Sequence, residues 1–89
     1  MTHVVKRARH KEEYDNRKVY ASIYAACIAV SIHHREAELI ANKVTEEINA
    51  WVSDKDELTS LGIFHVATEA LERYNPDAAF IYKTHRDVS

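Results

Sequence analysis

The stretch YDNRKVYASIYAACIAV, Tyr14 to Val30, decides the fold. Asp15 is placed to cap a helix beginning at Asn16, because a carboxylate there accepts one of the backbone N–H groups that a first turn leaves unpaired. Val19, Ile23, Cys27 and Val30 then recur at spacings of four, four and three, the period of one helix face. The helix is expected to end near Ser31, with Tyr20 and Tyr24 flanking its apolar stripe.

Working downstream, Ile32 to Arg35 reads as a short connection and a second helix is expected from about Glu36 to Val52. Ile40, Val44, Ile48 and Trp51 form its stripe, with Leu39 and Ala41 beside it, and Glu36 and Glu38 suit the positive end of the helix dipole. Ser53 to Thr59 is polar and acidic and reads as a loop, with room for a short strand in Glu57-Leu58-Thr59. Ser60 is expected to cap a third helix whose face holds Ile63, Val66, Ala67, Ala70, Leu71 and Tyr74. Asn75-Pro76-Asp77 restarts the chain, since Asn caps well and Pro fits a first helical position. The fourth helix carries Ala79, Phe80, Tyr82 and Lys83 and frays past Arg86.

Upstream, His3 to Arg7 reads as a strand on the β-propensity of Val4 and Val5, and Lys11 to Tyr14 as a second one paired with it in a hairpin. The expected class is therefore α+β: a four-helix bundle capped by a small two- or three-stranded sheet, in a single domain over residues 1–89.

Composition narrows the function classes. The hydrophobic share is 46% and the charged share 29%, ordinary for a soluble globular protein. No apolar run approaches the roughly 20 residues needed to span a bilayer. The basic start, Met1 to Arg9, has no apolar segment behind it, so neither a secretory signal nor a membrane role is expected and a cytoplasmic setting is. Cys27 is the single cysteine, set among Ala25, Ala26, Ile28 and Ala29, and reads as a small buried hydrophobe. The net charge of −2 conceals segregation: residues 1–18 carry +3 and residues 36–77 carry −7. Such a split points to one end of the molecule meeting an anion, or to solvated acidic helix faces.

The chain holds one Gly, which excludes both the GxGxxG and the Walker A phosphate loops. If phosphates bind, side-chain cations must hold them. Lys6, Arg7 and Lys18 are the candidates, unless they are simply solvated. Lys18 stands in the first turn of the first helix, where unpaired N–H groups also favour anions. His33 and His34 are adjacent and diverge, no HxxxH pair occurs, and His10, His65 and His85 lack Cys partners, so no metal site is expected. Glu12-Glu13 and Glu46-Glu47 are neighbours that do not face each other on a helix. No Ser-His-Asp or Cys-His arrangement is present, and the protein is not expected to be an enzyme. Tyr14, Tyr20, Tyr24, Tyr74, Tyr82, Phe64 and Phe80 serve either to stack a base or to pack the core. Nucleic acid is a poor partner for a chain of negative net charge with so short a basic patch.

Taken together these pieces resemble the ATP-cone family, a module found at the N-terminus of ribonucleotide reductases and in the bacterial repressor of reductase genes. The residues that carry the resemblance are Val4-Val5-Lys6-Arg7, Tyr14-Asp15-Asn16-Arg17-Lys18-Val19, the stripe through Ile23 and Ala26, Thr59-Ser60 with Ile63, and Ala78-Ala79-Phe80-Ile81-Tyr82-Lys83. They answer to the family's "V-x-K-R" strand, "F-D-x-x-K-I" helix start, "S/T-x-x-I" helix start and "A-x-x-Y-I-x-Y-R" ending, and the interval from Lys6 to Lys18 matches without a gap.

The resemblance covers about residues 3–86 and implies a four-helix bundle with a small three-stranded sheet. It implies ATP or dATP as ligand, leaving Mg²⁺ open, with Lys6 and Lys18 on the phosphates, Arg7 beside them and Glu12 near the base or ribose. Ser60 and Phe64 would lie at the third helix start, and Lys83 replaces a common Arg. The implied role is regulation, through self-association or a protein partner. Two departures, Ala8-Arg9 where a Gly-containing turn is usual and Phe64 where some members have a polar residue, suit a second reading: the same fold as a protein-interaction domain without nucleotide.

Overall fold

The computed structural model describes residues 3–5, 11–54 and 57–88, with side chains over 14–54 and 59–84. Seven elements follow in the order β1 (His3–Val5), β2 (Lys11–Glu13), α1 (Asn16–Ala29), α2 (His34–Val52), β3 (Glu57–Thr59), α3 (Ser60–Tyr74) and α4 (Pro76–Val88). The helices close a ring in which α1 packs on α2, α2 on α3, α3 on α4 and α4 back on α1.

The strands form a sheet of order β2-β1-β3. β1 runs antiparallel to β2, with Val4 opposite Glu12, and parallel to β3, with Val4 opposite Leu58. The α+β expectation nevertheless requires correction, because the molecule is a helical bundle. Each strand has three residues, whereas the helices have 13 to 19. A strand that short offers at most two side chains to either face, too few to form a layer that caps a bundle.

The core explains the helix order. On α2, Ala37, Ala41, Val44 and Ile48 have no exposed surface at all, and Ile23, Cys27, Ala67 and Leu71 meet them from α1 and α3. Burying each of these larger side chains is worth about 1.5–3 kcal/mol. The small residues Ala37 and Ala41 turn the buried face of α2 further round than the expected stripe. Leu39, expected beside that stripe, faces away from Val44 and Ala41 and is 59% exposed. Burial pushes the Cys27 thiol up, with Glu36 adding to the effect, which keeps it a packing group. The Thr45 hydroxyl is buried without a hydrogen-bond partner, a local cost inside α2.

The helix ends show why boundaries fell where they did. Asp15 caps α1 as expected, its Oδ1 accepting from the Arg17 N–H at 2.9 Å. α2 begins at His34, earlier than expected, because the His33 Nδ1 accepts from the Arg35 N–H at 3.2 Å, an unusual capping residue. Thr59, and not Ser60, caps α3: its Oγ1 accepts from the Gly62 N–H at 2.9 Å, so β3 runs directly into the helix. Asn75 ends α3 and starts α4, donating its N–H to the Leu71 carbonyl at 2.8 Å while its Oδ1 accepts from the Ala78 N–H at 2.9 Å.

α1 closes through Ser31 in the left-handed region, φ 66°. The Ser31 N–H donates to the Ile28 carbonyl at 2.9 Å and the Ile32 N–H to the Cys27 carbonyl at 3.1 Å, the Schellman pattern that normally recruits Gly. A side chain in that conformation costs roughly 1–2 kcal/mol, partly offset by the flexibility Gly would add to the unfolded chain. Ser31→Gly is therefore expected to stabilise the protein by about 0.5–1 kcal/mol and to raise the thermal midpoint by a few degrees. Calorimetry checks this, and a lower midpoint would contradict it.

Candidate functional site

One end of the bundle gathers the polar and aromatic groups. Tyr14, directly after β2, donates its hydroxyl hydrogen bond to the Asn49 Oδ1 on α2 at 2.8 Å. Phe64, one turn into α3, stacks on Tyr82 of α4 with ring centroids 5.4 Å apart. Near the end of α2, Trp51 packs by the first turn of α3: a Cβ on Gly62 would lie 3.6 Å from its ring and 3.2 Å from the Thr59 Oγ1. The chain's single glycine thus stands where the cap and the indole leave little room.

Electrostatics joins these groups. The Tyr14 hydroxyl is pushed up to about 12, first by burial and then by the charges of Asp15 and Tyr82. Tyr14 and Tyr82 both pack against the buried core. Arg17 holds the half-buried Asp15 carboxyl below the usual carboxylate range, through its side chain and then its backbone N–H. A second polar cluster joins α2 to the last turn of α3, where Arg73 and Glu47 form an ion pair and the Tyr74 hydroxyl donates to the Glu47 Oε2 at 2.8 Å.

The expected ligand residues distribute as follows. Lys18 is exposed in the first turn of α1, its N–H bonded to the Asp15 carbonyl at 3.2 Å. Ser60 is the first residue of α3 and half-buried, and its displacement from the cap by Thr59 leaves its hydroxyl outside that bond. Lys83 is exposed on α4, the helix that packs against α1. Phe64 is only 7% exposed, so it forms a wall and not an open platform for a base. Glu12 lies in β2 opposite Val4, its side chain outside the described residues, and Lys6 and Arg7 lie outside them altogether. Val5, which precedes Lys6, pairs with Thr59, which precedes Ser60, so β1 sets Glu12 on one side and the start of α3 on the other.

Asn49 was not singled out by the sequence. Its position next to Ile48 of the α2 stripe, at the edge of the buried face, was the available signal. Among the described residues, no three His, Cys, Asp or Glu side chains gather as metal ligands, and no helix is long and apolar enough to cross a membrane.

A short sheet and two helix starts thus meet at the end of the bundle that holds the Tyr14–Asn49 and Phe64–Tyr82 contacts. The ATP cone domain matches residues 2–87 of the 89-residue chain, and the protein belongs to the ATP-cone family, a family of nucleotide-binding regulatory domains. No curated protein sequence matches the chain.

The raised Tyr14 hydroxyl links stability to alkaline pH. Its proton is held more tightly in the folded protein, so its contribution is fully present below the ordinary value of 10 and is lost as pH rises through about 12. Wild-type protein is expected to lose more stability between pH 9 and 11.5 than Tyr14→Phe, measured by urea unfolding at each pH. Equal losses would contradict the assignment.

Proposed function

We propose that this domain binds ATP or dATP at the sheet end of the bundle, and that the bound nucleotide changes its association with a second copy of the chain or with another protein. The observation that carries the reading is the convergence of the α1 start, the α3 start and β2 on that end, in a chain of the ATP-cone family. Lys18 and Lys6 bind the phosphates, with Arg7 and Lys83 adding positive charge. Glu12 accepts hydrogen bonds from the base or ribose, and the Ser60 hydroxyl and the Phe64 ring border the ligand at the α3 start.

The chemistry of these groups fits a nucleoside triphosphate. Without a glycine loop, the phosphates need cations on side chains, and Lys18 offers its ammonium at the positive end of the α1 dipole. The ligand acts by binding one associated state more tightly than another, since a nucleotide with equal affinity for both shifts nothing. The role is regulatory, with no chemistry performed on the nucleotide. The cytoplasm, where a lone buried Cys27 stays reduced, is the setting we assign it. The alternative, an interaction domain without nucleotide, draws on Phe64, whose ring is already covered by Tyr82.

Titration calorimetry of the full chain with ATP, with and without Mg²⁺, tests the site. Lys18→Ala removes a charged donor worth roughly 1.5–3 kcal/mol and is expected to raise the Kd about tenfold or more, while Lys18→Arg retains most of the affinity. Unchanged affinity in Lys18→Ala would remove Lys18 from the site.

A further inference from the structure

Tyr14 and Asp15 are consecutive, and each anchors the start of α1 in a different way. Asp15 acts locally: its carboxylate accepts from the Arg17 N–H at 2.9 Å and its carbonyl from the Lys18 N–H at 3.2 Å. Those bonds fix the first turn but say nothing about where that turn lies relative to the other helices. Tyr14 supplies that relation, because its hydrogen bond reaches Asn49, 35 residues away on α2. Two residues before Tyr14 stands Glu12, in register with Val4 at the centre of the sheet. Four residues after it stands Lys18.

We propose that the Tyr14–Asn49 hydrogen bond positions the β2–α1 segment for nucleotide binding, which makes Tyr14 and Asn49 positioning residues of the site; this rests on the nucleotide reading given above. Tyr14 lies between the residue assigned to the base or ribose and the residue assigned to the phosphates. A shift at Tyr14 moves both, and Lys18 follows directly because its N–H is tied to Asp15. The anchor on the other side is firm: Asn49 follows Ile48, which has no exposed surface. Tyr14 itself is half-buried against the core, so its ring packing and its hydroxyl are separable. Tyr14→Phe keeps the ring and deletes only the bond.

The test measures the Kd for ATP by titration calorimetry on the full chain, at a temperature where circular dichroism shows each variant folded. Tyr14→Phe and Asn49→Ala are each expected to weaken binding about 2- to 10-fold, and the double variant no further than the weaker single one. Tyr74→Phe is the structural control. It also deletes a tyrosine hydroxyl bonded to α2 at 2.8 Å, but at the far end of α3, and its Kd is expected to match wild type. Wild-type affinity in both Tyr14→Phe and Asn49→Ala would overturn the positioning role and leave the nucleotide reading standing. An equal loss in Tyr74→Phe would overturn it too, by assigning the effect to general loosening. Absence of ATP binding by the unsubstituted protein would overturn both.

Discussion

The molecule depends on the burial of α2 between α1 and α3. Ala37, Ala41, Val44 and Ile48 are completely enclosed, and no other helix contributes as many fully buried positions among the described residues. With so few residues the domain buries only about 60% of the surface its unfolded chain exposes, so a single well-packed helix carries a large share of the stability. That packing also fixes the end of the bundle where the polar and aromatic groups gather. The same helix carries Asn49 and Trp51 in its last turns, and these meet Tyr14 and the start of α3. Whatever holds α2 in place holds the candidate site.

The sheet contributes connection more than bulk. Its three strands are too short to form a second layer, yet their pairing brings three distant pieces of chain together. β1 puts Glu12 on one side and Thr59 on the other, and Thr59 then caps α3 with no intervening loop. The economy of the design lies in such shared residues. Thr59 ends a strand and caps a helix, and Asn75 ends one helix and caps the next. A chain with one Gly and one Pro has few other means of turning sharply.

The helices were legible because their apolar periods are clear and three of the four begin near conventional capping residues. The stripe from Val19 to Val30, the cap at Asp15 and the restart at Asn75-Pro76 all stand where the pattern put them. What failed had physical reasons. His33 is a poor statistical cap but has an accepting Nδ1 in the right place. Leu39 is apolar but lies on the wrong side of α2, because the alanines set the buried face. The α+β class overstated three strands of three residues each beside four helices of 13 to 19 residues. At the site, Lys18 and Ser60 were placed by helix starts, whereas the partnership of Tyr14 with Asn49 spans 35 residues and has no local signal.

Charge separation completes the account, with cations gathered in residues 1–18 and the exposed faces of α2 and α3 acidic. An anion is attracted to the first region and repelled by the second, which is electrostatically consistent with the nucleotide site proposed at the sheet end. The measurement that tests this most directly is the thermal midpoint of the purified protein in millimolar ATP, dATP or GTP, each with Mg²⁺. A ligand at 100 times its Kd adds about 2.7 kcal/mol, enough to raise the midpoint of so small a domain by several degrees. The account predicts that rise with ATP or dATP and not with GTP. No shift with any nucleotide would contradict it and turn the reading to a bundle that acts through protein partners alone.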